Sequence, residues 1–140
     1  MALVWQKESD GHLYEVRSAG RSLRLYTDGV CHSQYNSIDP LTGHIWDLLM
    51  LPAFFRERGA VNRVLVLGVG GGASIHQLRH FVNPETIVGV ELNPVLMYVA
   101  TRFFKLNHES IELVHADAIQ WIKDYKGEKF DLIIDDLFAE

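Results

Sequence analysis

The chain has a single cysteine, Cys31, only four prolines, and no apolar run long enough to cross a membrane. A lone thiol excludes an intrachain disulfide, so packing alone must hold the fold. The most apolar stretch, Trp46 to Phe55, is broken by Pro52 and falls far short of the ~20 residues a membrane helix needs. Positive charge is scarce too: 13 Lys and Arg stand against 18 Asp and Glu, a net charge of -5. Such a balance offers no basic field to a polyanion, so neither nucleic acid nor membrane is expected as a partner. The first ten residues lack a basic segment followed by an apolar run, so no secretory leader is expected and a cytoplasmic location is. No low-complexity segment and no repeat of longer period is visible.

What remains is an ordinary globular composition, 48% hydrophobic and 22% charged over 140 residues, enough to bury about two thirds of the unfolded surface in one core. From Leu3 to about Asn36 apolar and polar residues alternate, interrupted at Asp10-Gly11, Ala19-Gly20 and Asp28-Gly29. These dipeptides turn strands into hairpins, so a small antiparallel sheet is expected. After Asp39-Pro40, Leu41, Ile45, Leu48, Leu49, Phe54 and Phe55 recur at helical spacing and predict one helix over Leu41 to Arg58, kinked at Pro52 and stopped by Gly59.

The pattern changes at Val64. Four continuous apolar runs, Val64 to Leu67, Thr86 to Glu91, Ile111 to Val114 and Phe130 to Ile134, read as parallel strands covered on both faces. Helical segments separate them at about Ala73 to Phe81, Pro94 to Lys105 and Ala118 to Asp124. Strand and helix in alternation give an α/β fold with a Rossmann-like parallel sheet. The expected organisation is a hairpin region with its connecting helix over 1–60, then the first half of a Rossmann-like domain over 61–140.

The chemistry-bearing residues fall at the strand ends. Gly68-Val69-Gly70-Gly71-Gly72 lies between a strand and a helix, where a tight turn brings backbone amides and a helix N-terminus close to a ligand. Glycine turns also serve packing alone, so the neighbours decide. Glu91 closes the second strand about 20 residues on, at the carboxyl edge where an acid accepts hydrogen bonds from ribose hydroxyls; the alternative is a solvated strand-end acid. Asp117, before Ala118, stands where a carboxylate meets an adenine edge and where Asp also caps helices. Asp135 and Asp136 end the fourth strand at the same edge, and one of the two faces the site.

Three other constellations carry less. His76 and His80 sit four apart on a helix, yet the sequence places no third metal ligand. Ser74 lies in no nucleophile elbow and reads as a helix cap. A nicotinamide-binding domain would open with the glycine motif rather than follow a hairpin sheet.

Taken together these residues resemble the spermidine synthase family, especially its methyltransferase-fold relatives with a Gly-x-Gly-Gly-Gly turn. The resemblance rests on Leu25 to Gly29, the helix before the first core strand, Val64 to Gly72, Val88 to Glu91, Asp117-Ala118 and Phe130 to Asp136. It implies a cleft for S-adenosylmethionine or its decarboxylated form, with Gly68, Gly70, Gly71 and Gly72 along the cofactor, Glu91 on the ribose, and Asp117 with Ala118 at the adenine. It also likens Gln34 to the family's cofactor-contacting glutamine and makes Asp136 the catalytic carboxylate toward a small-molecule acceptor.

The sequence departs from the aminopropyl-transferring members in three places. Gly71 replaces an aspartate that lies close to the aminopropyl amine, Ala139 replaces the second acid of an Asp-x-x-Asp pair, and Gly43 takes a tyrosine's place before His44. On these grounds a methyltransferase-type transferase is expected, with polyamine aminopropyl transfer and a non-catalytic nucleoside-binding module as alternatives. Because the family's sheet continues beyond a fourth strand, the resemblance also implies a fragment or a chain completed by a partner, and the open strand edge predicts a homodimer.

Overall fold

The computed structural model describes residues 1–137. Two four-stranded sheets organise it. The first is an antiparallel meander of β1 (Ala2–Ser9), β2 (His12–Ala19), β3 (Ser22–Thr27) and β4 (Val30–Tyr35). Asp10 and Gly11 (φ 53° and 82°), and Asp28 and Gly29 (φ 51° and 81°), supply the paired positive φ of type I′ hairpin turns. The Asp28 carboxylate also fastens its turn, accepting from the Leu13 amide at 2.8 Å and facing the His12 imidazole at 2.6 Å.

The second sheet is the expected parallel one: β5 (Arg63–Leu67), β6 (Thr86–Glu91), β7 (Ile111–His115) and β8 (Leu132–Asp135) lie in the order β7-β6-β5-β8. Helix α2 (Ala73–Phe81), α3 (Pro94–Arg102) and α4 (Ala118–Asp124) alternate with its strands. The continuous apolar runs are explained by burial on both faces. Val64, Val66 and Ile87 pack with Ile75 and Leu78 of α2 and Ala100 of α3. Leu65, Leu67, Val88 and Val90 pack with Ala118, and Trp121 and Phe130 lie against that second cluster.

The segment before β5 is a correction. In place of one kinked helix over Leu41 to Arg58 there are a four-residue helix α1 (Trp46–Leu49) and a 3-10 turn (Leu51–Phe55). Pro52 lies at the start of that turn, where its missing N–H costs nothing. Upstream, the Asp47 carboxylate collects the amides of Thr42 and Gly43, so residues 41–45 form a turn instead of a helix. Ile45, Leu48, Phe54 and Phe55 remain exposed; their helical spacing records a surface rather than a buried face.

The antiparallel sheet is seated on α3. Val16 and Leu25 cluster with Val99 and Phe104, with Trp5, Leu23, Tyr35 and Phe103 around them. Among the described residues no helix is long and apolar enough to span a membrane. Phe104 is fully buried and serves as the knuckle between the sheets, so Phe104→Ala is expected to cost about 3–5 kcal/mol, read as a fall in the urea midpoint at unchanged slope.

Candidate functional site

The site forms at the carboxyl ends of β5, β6, β7 and β8, where a parallel sheet leaves its crevice. Its floor is the turn from β5 to α2. Gly68 and Gly72, at φ 81° and 83°, occupy the left-handed region that favours glycine. Each is closed in as well. A Cβ on Gly68 would lie 2.5 Å from the Asp136 carbonyl oxygen, and one on Gly72 would run into the Leu106 side chain. Gly70, at φ 55°, is different: a Cβ there meets only the His32 carbonyl, at 3.5 Å, so this part of the turn faces open space.

Gly71 is closed in on its side-chain direction. A Cβ at this position would collide with the ring of Phe104 and with the Ser33 Cβ. Its lack of a side chain is therefore a packing requirement.

Glu91 fits the turn closely. It is 8% exposed. One carboxylate oxygen accepts from the Val69 amide at 2.9 Å and the Gly70 amide at 3.0 Å, and the other accepts from the Asn93 amide at 2.8 Å. This is no solvated strand-end acid. Hydrogen bonds from three backbone N–H groups compensate its burial.

The remaining carboxylates divide by role. Asp117 is the N-cap of α4, accepting from the Gln120 amide at 2.9 Å, and Ala118 behind it is buried. Asp136 anchors its backbone to β5, donating to the Leu67 carbonyl at 2.9 Å. Its half-buried carboxyl is pushed above the ordinary aspartate range by burial and then by the neighbouring Asp135 charge. Asp135 itself is exposed, so Asp136 is the more buried of the pair. Ala139 lies outside the described residues.

Gln34 stands apart. It is half-buried on β4, and its side-chain oxygen accepts from the Arg24 Nε at 2.8 Å across the antiparallel sheet. The part of β4 that reaches the glycine turn is His32 and Ser33. The buried Ser33 hydroxyl accepts from the Ala73 amide at 3.2 Å and so covers the N-terminus of α2. Ser74, expected to cap this helix, lies buried in its first turn and makes no cap hydrogen bond. Tyr14 joins in from β2, its hydroxyl accepting from Asn93 Nδ2 at 2.7 Å, while Asn93 Oδ1 caps α3 through the amides of Val95 and Leu96.

His32, Ser33 and Tyr14 were missed from the sequence, and one signal for them existed. Val30 to Tyr35 does not alternate cleanly, because β4 carries a bulge: Leu25 pairs with Ser33 and Tyr26 with Cys31, leaving His32 as the extra residue. His76 does not face outward to pair with His80. Its Nε2 meets the Phe104 carbonyl at 2.6 Å, its ring lies 4.5 Å from that of Tyr35, and burial lowers its pKa to about 4.

A glycine turn at the head of a parallel sheet, with an acid from the next strand on its amides, defines a Rossmann-like class of α/β fold. Residues 47–140 match the spermine/spermidine synthase domain, and the chain belongs to that family. It is 28% identical over 128 residues to polyamine aminopropyltransferase 2 of Caldanaerobacter subterraneus subsp. tengcongensis, covering 89% of this chain and 41% of the relative. It is 34% identical over 122 residues to polyamine aminopropyltransferase 2 of Ralstonia nicotianae, covering 81% of this chain and 23% of that one. The chain thus spans less than half the length of these relatives.

The fold agrees. A spermidine synthase in complex with the transition state analogue AdoDATO superposes over 98% of this chain and 47% of its own, with a TM-score of 0.75 and 18% identity. A probable spermidine synthase from Corynebacterium glutamicum ATCC 13032 superposes over 99% and 53%, with a TM-score of 0.80 and 18% identity.

Two outcomes are expected from this geometry. Gly71→Asp destabilises the chain by about 1–3 kcal/mol through overpacking against Phe104 and Ser33, measured by urea denaturation. Asp136→Asn stabilises at neutral pH, because a raised carboxyl pKa means that folding disfavours the ionised form. The gain fades as pH falls through the folded pKa and is absent below the unfolded value, which thermal unfolding of both chains across pH checks.

Proposed function

We propose that this chain forms the donor-binding part of a polyamine aminopropyltransferase, taking decarboxylated S-adenosylmethionine and serving a small amine acceptor. The observation that carries the reading is the Glu91 carboxylate on the Val69 and Gly70 amides at the head of β5 and β6. The names of the curated relatives give it its chemical direction. In this reading Glu91 holds the ribose, Asp117 and Ala118 border the adenine, and the open face at Gly70 lies along the rest of the nucleoside. The division near residue 60 belongs to the same proposal, as does the pairing of two copies along the open β8 edge.

When bound, the sulfonium supplies an electrophilic carbon and a neutral thioether leaving group. The work left to the chain is alignment and proton removal. Asp136 receives the proton that the acceptor nitrogen loses as its lone pair forms the new C–N bond and the C–S bond breaks. A carboxyl pKa above the ordinary range makes Asp136 a stronger base than a free aspartate.

Methyl transfer from intact S-adenosylmethionine drew its main support from the missing acid at position 71. With that direction filled by Phe104 and Ser33, the glycine reports on packing, and the support weakens.

Calorimetric titration of the chain with decarboxylated S-adenosylmethionine, S-adenosylmethionine and methylthioadenosine tests the reading, with Glu91→Ala as control. Tightest binding of the decarboxylated donor, lost in Glu91→Ala, is expected. Preference for the intact donor would favour methyl transfer, and binding without product in the presence of amines would leave a nucleoside-binding module.

A further inference from the structure

A second concavity, about 640 Å³ in volume, is lined from the end of β4 and from the second half of α2. None of its lining residues belongs to the glycine turn, and neither Glu91 nor Asp136 reaches it. Arg79 and Lys105 bring positive charge to it, His80 adds an imidazole, and no acid is among the lining residues. In a chain of net charge -5 this is a local reversal of sign, and a concave surface concentrates such a field.

Lys105 is the informative residue. Phe104 and Leu106 on either side of it are buried and fill the side-chain directions of Gly71 and Gly72. The backbone between them takes φ 58°, where a lysine is strained and a glycine is not. Burial of the neighbours accounts for that backbone. It does not account for the side chain, which lines the cleft and makes no hydrogen bond or ion pair among the described residues. Arg79 is likewise without a hydrogen-bond or ion-pair partner among them.

Cations also suit helix C-termini, and α2 and α3 both end nearby. Their last carbonyls are already engaged, however. Leu78 accepts from the Val82 and Asn83 amides, Val99 from those of Phe103 and Phe104, and Ala100 from that of Leu106. The wall of the cleft is also fixed in place. A carbonyl can only accept, so His76 Nε2 donates to the Phe104 carbonyl at 2.6 Å, and the ring of Tyr35 lies 4.5 Å from the imidazole.

We propose that this cleft is a second binding site, one that takes the phosphate group of a small soluble ligand. The Arg79 guanidinium fork holds two phosphate oxygens and Lys105 adds a point charge. Free phosphate and a phosphate ester offer the same group.

Calorimetric titration of the chain with inorganic phosphate and with ribose 5-phosphate, at constant ionic strength, tests the site. The variants are Arg79→Gln, Lys105→Gly and, as a control cation on α4, Lys123→Gln. Binding of at least one probe is expected, about tenfold weaker in Arg79→Gln, which loses charge-assisted hydrogen bonds, and weaker in Lys105→Gly. Lys105→Gly is expected to melt close to the wild-type temperature, because relief of the left-handed backbone offsets the added freedom of the unfolded chain. Weaker binding in that variant then reports charge and not loss of fold. Lys123→Gln binds as the wild type does. Tighter binding of ribose 5-phosphate assigns the site to organic phosphates, and tighter binding of inorganic phosphate to the free anion. Undiminished binding in both cleft variants, an equal loss in Lys123→Gln, or no binding of either probe overturns the proposal.

Discussion

The structure depends on one buried carboxylate. Glu91 sits at the end of β6 with almost no exposure, and ionised acids are costly there unless donors surround them. The donors are the amides of Val69 and Gly70, freed by a glycine turn that has no regular partner for them, and the amide of Asn93. Turn and acid thus satisfy each other across neighbouring strands.

The antiparallel sheet takes part in this arrangement. Ser33 reaches the Ala73 amide from β4, and Tyr14 reaches Asn93 from β2. Both contacts end on residues that start helices, α2 and α3, at the edge of the crevice. Shape comes from Phe104, which fills the space between sheet and turn and lies against Val16 and Leu25. The hairpin region is therefore packed against the crevice rather than an appendage.

Most of the parallel sheet was legible because its signals are strong and local. Runs such as Val64 to Leu67 require burial on both faces, and Asn93-Pro94 and Asp117-Ala118 mark helix starts through specific cap chemistry. The place of Glu91 at the head of β6 was legible from its spacing past the glycines, the buried run Val88 to Val90 before it and Asn93-Pro94 after it. Three features were not. The helix expected over Leu41 to Arg58 lost to Asp47, whose side chain competes for the Thr42 and Gly43 amides, a contest that periodicity does not register. Gln34 was singled out for its likeness to the family's glutamine, and its bond to Arg24 across the antiparallel sheet is a cross-strand contact that residue type does not announce. The filling of the Gly71 side-chain direction by Phe104 and Ser33 was not legible either, because a glycine motif carries no information about what packs against each of its members.

That last point bears on how such sequences can change. Gly71 and Phe104 share one volume, since a side chain at the first collides with the ring of the second. The Ser33 Cβ borders the same space, so a side chain at position 71 presses on the ring and on β4 together. An acid there has to displace both, and the strain falls on the seam where the antiparallel sheet meets the glycine turn.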